Sequence, residues 1–212
     1  SQQVTVTTQG AGLEAVQLSA RNLLDVSIGL VIPVGTFFIN RGSAQNMVAV
    51  RPLTVYLPDQ QPVTVTVPSA CANLHRAAPG RNSSFDIVAS PAQKDLERLM
   101  AVLEQAQPSV VVRQVAVWIV TDDATRSQLD SIYVRRDAFS PWGGGSPAAS
   151  DMAIVEAMQL VSAAGLDLTQ RAIYREGVSL LRALGSSEDA TRRVAAQMLA
   201  DRKCDVAMLG GV

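Results

Sequence analysis

Around Ser90-Pro91 the hydrophobic period of this chain changes from two residues to about 3.6, so the chain must build a sheet first and helices second. Upstream, β-branched residues alternate with polar ones, and Gly, Pro, Asp and Asn break the runs. The runs predict strands at Val4–Thr8, Ala15–Asn22, Val26–Val34, Thr36–Asn40, Met47–Leu57, Val63–Val67 and Phe85–Val88. Short strands at these spacings predict an immunoglobulin-like β-sandwich of about seven strands over residues 1–89, without the Cys…Trp…Cys signature of a true immunoglobulin domain.

Downstream, Ser90 followed by Pro91 is a helix start, and Leu96, Leu99, Met100 and Leu103 recur at helical spacing. A helix over Ala92–Gln107, ended by Pro108, follows from that pattern. The next run, Val110–Thr121, sets two principles against each other. Its β-branched content favours a strand, whereas Pro108-Ser109 before it and Asp122-Asp123 after it suit a helix. Helix is the expectation, as the second arm of an αα-hairpin. A short helix at Asp123–Ile132 and a long loop at Arg135–Ser150 come next. Helices at Asp151–Ala164, Gln170–Leu184 and Ser187–Lys203 complete an irregular bundle over residues 90–212. Val-Arg-x-x-Ala-x-Trp echoes a helical-repeat motif, but no fixed period extends it. The expected fold class is therefore segregated α+β.

The balance of charge narrows function. Lys and Arg number 18 against 19 Asp and Glu, giving a net charge of −1, so neither a global nor a local basic field points to nucleic acid. The oiliest stretch, Leu23–Ile39, is interrupted by Asp25, Gly29, Pro33 and Gly35, which argues against a membrane span. The first residues, Ser-Gln-Gln, carry no signal-peptide pattern. Low charge, Thr/Val-rich strands and an Asn82-Ser83-Ser84 sequon set the expectation of an extracellular or cell-surface protein. Metal chemistry is disfavoured because His75 is the only histidine, and the two cysteines, Cys71 and Cys204, leave one disulfide open.

The segment Gln114-Val-Ala-Val-Trp-Ile-Val-Thr-Asp122 resembles a sequence of the thioester domains of Gram-positive surface adhesins, in which Gln-x-Ala-Ile-Trp precedes Thr-Asp. Val117 stands for the family Ile, Arg113 for the Thr before the Gln, and Ala70-Cys71 for a Tyr-Cys pair. The resemblance implies an internal thioester between Cys71, on the β part, and Gln114, at the start of a helix, with Trp118 and Thr121 walling and orienting it.

Other constellations have simpler accounts. On a helix Cys71 and His75 would align as thiol and base, the arrangement of a cysteine hydrolase. Asp122-Asp123 reads as a helix N-terminus stabilised by its dipole, and Gly143-Gly144-Gly145 lacks the Lys-Ser/Thr of a phosphate loop, so no cofactor is expected. Trp142 and Phe139 read as loop anchors, and Met152, Met158, Met198 and Met208 as core filler. Three functions fit these residues. The first is a non-enzymatic, secreted structural or adhesive module that binds a protein partner or its own copies. The second is the same module with a Cys71–Gln114 thioester that couples to amines, and the third is a hydrolase using Cys71 and His75.

Overall fold

The computed structural model describes residues 3–88, 94–130, 133–134, 146–147 and 149–183. The helix start at Ser90-Pro91, the Trp142 and glycine-rich part of the long loop, the expected helix Ser187–Lys203 and Cys204 lie outside the described residues. The fold is α+β, with an antiparallel sheet first and helices after it.

Eight strands occupy the N-terminal part: β1 (Val4–Gly10), β2 (Ala15–Asn22), β3 (Ile28–Ile32), β4 (Phe37–Asn40), β5 (Asn46–Ala49), β6 (Leu53–Leu57), β7 (Pro62–Ala72) and β8 (Phe85–Val88). Period-two patterning drives them: in β2, Val16, Leu18, Ala20 and Asn22 turn inward while alternate residues turn out. Buried Asn22 is satisfied locally, donating to Val26 O at 2.7 Å and accepting from Leu24 N at 2.9 Å.

The immunoglobulin-like sandwich is not confirmed. Six strands form one sheet in the order β1-β2-β7-β5-β4-β8, and β3 pairs only with β6. The long strand expected at Met47–Leu57 divides at Pro52, and its halves join different sheets because proline cannot continue a ladder. The outer strands of the six-stranded sheet approach each other, which makes it barrel-like. Gly10 N donates to Ser83 O at 2.9 Å, and the Thr8 hydroxyl both accepts from Phe85 N at 3.0 Å and donates to Phe85 O at 2.7 Å. At this seam the backbone of Gly10 meets that of Gly80 so closely that a β-carbon on Gly10 would lie 2.3 Å from Gly80 O. Gly10→Ala should therefore lower stability by about 1–3 kcal/mol in denaturant melts, whereas Gly80→Ala, whose β-carbon would meet open space, should cost far less.

The helices are α1 (Lys94–Ala106), α2 (Val110–Thr121), α3 (Arg126–Asp130), α4 (Asp151–Ala163) and α5 (Ala172–Ala183), with a 3-10 turn at Leu168–Gln170. Two short strands, β9 (Tyr133–Val134), just before the expected loop, and β10 (Ser146–Pro147), within it, pair with each other. Helix α1 buries Leu96, Leu99, Met100 and Leu103, the stripe its spacing predicts. Gly165, at φ +70, follows the end of α4, where a left-handed residue closes the helix.

Helix α2 resolves the ambiguity in favour of helix. Ser109 caps it by accepting from Val112 N, and Val112 and Val115 through Val120 are all buried. It packs against α1, α4 and β7, so its apolar surface is covered nearly all round, which outweighs the modest helix-propensity cost of valine and isoleucine. Buried residues of the sheet and of the described helices belong to one hydrophobic cluster. Among the described residues no helix is long and apolar enough to cross a membrane.

Candidate functional site

Strand β7 runs past the end of its neighbour β2, and the site forms along the edge that this overrun leaves. β2 pairs with β7 only as far as Ala15 opposite Pro68, while β5 covers the other edge of β7 from Ser69 to Ala72. Backbone groups of an antiparallel strand point alternately to its two sides. Pro68 O accepts from Val50 N on the β5 side, so Ser69, Cys71 and Asn73 present their groups to the vacated side. Ser69 N donates to Glu14 O at 2.8 Å in the β1–β2 turn. Beyond it, no strand among the described residues pairs with that side of Cys71 and Asn73.

Side chains of α2 take the missing strand's place. Gln114 Oε1 accepts from Cys71 N at 2.8 Å, and Gln114 Nε2 donates to Cys71 O at 2.7 Å. A carboxamide offers one acceptor and one donor, as a peptide unit does, so it completes a two-point pairing with a strand edge. Farther along the helix, Asp122 Oδ2 accepts from Asn73 N at 3.2 Å. The expected pair, 43 residues apart in sequence, is thus in direct contact.

The sulfur lies apart from water. Cys71 has no accessible surface; its Sγ is 3.4 Å from Met47 Sδ, across the strand pair, and donates to Leu13 O at 3.6 Å. Burial pushes the thiol up from 9.0 to about 12, so Cys71 holds its proton at neutral pH. Among the described residues Cys71 is a free thiol.

The flanking residues act at one remove. Trp118 is buried and donates from Nε1 to Gln45 Oε1 at 3.3 Å, which ties α2 to the segment leading into β5. Thr121 donates to Val117 O at 3.0 Å and to Asp122 Oδ2 at 2.6 Å, steadying the carboxylate that holds Asn73. Neither has a hydrogen bond to Cys71 or Gln114, so both position the elements that carry the pair.

The helix that would align Cys71 with His75 is absent: Cys71 closes a strand and His75 sits exposed on the following turn. The nearest polar contact of the His75 ring is Gln128 Nε2, at 3.5 Å. Of the two carboxylates expected at a helix N-terminus, Asp122 caps the C-terminal end of α2, while Asp123 accepts from Ala172 N at 2.8 Å at the start of α5 and meets Arg175, joining the end of α2 to α5. Leu13 and Met47, which enclose the sulfur, have no signature in sequence, because their proximity depends on turn geometry and strand register. Among the described residues no three His, Cys, Asp or Glu side chains are grouped to hold a metal ion. Compared with protein-family models, with curated proteins and with solved structures, the chain finds no match.

Proposed function

We propose that this protein is an extracellular adhesive module whose Cys71 and Gln114 form an internal thioester that couples covalently to an amine on a partner. The observation that carries the reading is the two-point hydrogen bond between the Gln114 carboxamide and the backbone of Cys71 itself. It supports the reading because it holds the carboxamide against the residue that bears the thiol; the acyl transfer then requires the sulfur to turn from Met47 and Leu13 to the carboxamide carbon. The Gln-x-Ala-x-Trp…Thr-Asp motif on α2 agrees with it.

In the reaction, the Cys71 sulfur bonds to the Gln114 carboxamide carbon and the carbon–nitrogen bond breaks. The thiol proton passes to the departing nitrogen, and ammonia leaves. The Cys71 N–H, already donating to Oε1, stabilises the charge that builds on that oxygen, as an oxyanion donor does. A partner amine then attacks the acyl carbon, the carbon–sulfur bond breaks, and the sulfur regains a proton. The product is an amide on Gln114 and a free Cys71 thiol, so each molecule reacts once.

Freshly purified, unreduced protein should have a mass one ammonia short, and methylamine should raise it by one methylamine and free one thiol. Cys71→Ala should show neither change. A full mass in wild-type protein would remove the thioester. A second reading is favoured by Cys71 Sγ facing Met47 and Leu13: the carboxamide then only completes the β7 edge, and the module acts through noncovalent protein contacts. The same mass decides between the two.

A further inference from the structure

We infer that the β1–β2 turn, Ala11–Glu14, is a gate over the Cys71 sulfur that sets how fast a nucleophile reaches the acyl carbon bonded to it; the inference rests on the thioester reading of the site. Cys71 has no accessible surface, and the turn supplies one of the two contacts of its sulfur, through Leu13 O. The turn is held down by backbone bonds, not by packing. Glu14 O accepts from Ser69 N, two residues before Cys71, and Ala11 N closes the turn on Ala15 O at 3.2 Å.

Little side-chain contact backs these ties. Leu13 is 50% exposed, Ala11 and Glu14 are exposed, and a β-carbon on Gly12 would meet nothing within 4 Å. A segment with few buried apolar contacts opens at low free-energy cost while the strands beneath it stay folded. Val16, two residues past the turn, is fully buried, so the strand beyond the turn stays anchored. Gln114, by contrast, keeps part of its surface accessible with the turn closed. The turn therefore covers the end of the site where the acyl carbon is bonded to sulfur.

Gly12 has φ +98, a conformation that strains any L side chain, so Gly12→Ala loosens the turn without reaching the site. Gly12→Asn, which strains the turn less because asparagine tolerates positive φ better than alanine, serves if the first variant fails to fold. In a Cys204→Ser background, both should keep the ammonia deficit and release the Cys71 thiol to methylamine faster, Gly12→Ala by about tenfold. The Ser69 amide should exchange its hydrogen faster in step. Unchanged rates with the deficit retained would overturn the gate. If wild-type protein shows a full mass, the thioester reading fails separately, and the same variants are scored with iodoacetamide: faster alkylation of Cys71 upholds the gate, and an unchanged rate overturns it.

Discussion

Gln114→Ala should abolish the ammonia deficit and lower stability by about 2–4 kcal/mol, roughly 5–15 °C in melting temperature for a chain of this size. Both effects come from one carboxamide. Without it there is no acyl group for Cys71 to capture, and a buried residue loses partners for both its N–H and its C=O. No strand can replace them, because β2 ends its pairing with β7 opposite Pro68 and β5 occupies the other edge. Gln114→Glu separates the two roles. It keeps an acceptor for Cys71 N–H and loses the donor to Cys71 O, so part of the stability should return while the ammonia deficit stays absent. Calorimetry and intact mass on the two variants read these outcomes. A Gln114→Ala protein as stable as wild type would show that the carboxamide does not complete the β7 edge.

As a free thiol, Cys71 should react with iodoacetamide near neutral pH about a thousandfold more slowly than an exposed cysteine, on thiolate population alone. The reason is burial, which pushes its ionisation up to about 12. A stability effect of definite sign follows. Between about pH 9 and 12 the unfolded chain loses the thiol proton while the folded chain keeps it. The unfolded state then binds fewer protons, and stability falls as pH rises through that window. Below pH 9 the proton is bound in both states and the term is flat. In the thioester form there is no thiol to ionise when folded or unfolded, so this loss should disappear. Urea titrations of a Cys204→Ser protein from pH 8 to 11, before and after methylamine, would show it. Rapid alkylation of the free thiol at pH 7 would contradict the burial, and would return a hydrolase-like cysteine to consideration.

The two halves of the candidate site differ in how far sequence could reveal them. Gln114, Trp118, Thr121 and Asp122 sit at fixed spacing on one helix, so their relation is local and visible in the motif. Cys71 is a single residue in a strand run that seemed to end at Val67, because Pro68 reads as a stop. The strand continues because the missing N–H of Pro68 falls at a point where neither neighbour needs it: β2 ends its pairing there and β5 begins. Cys71 and His75, by contrast, do not come together as a pair. A spacing of four means a shared face only on a helix, and this segment leaves a strand and turns.

By itself, the sequence determined the features that depend on near neighbours along the chain: the change of period, the apolar stripe of α1, the Ser109 cap, the glycine closing α4 and the alternation of β2. These rest on steric and hydrogen-bonding preferences acting over a few residues. Only the tertiary structure decided which sheet each strand joined, that Met47–Leu57 divides, and that α2 is a helix, where burial on nearly every side outweighs β-branched propensity. It also decided the contact of Gln114 with Cys71 and the covering of the sulfur by Leu13 and Met47. Those contacts depend on where β2 stops and on which neighbour completes the exposed edge of β7, and a buried N–H or C=O takes whichever partner the packing brings within reach.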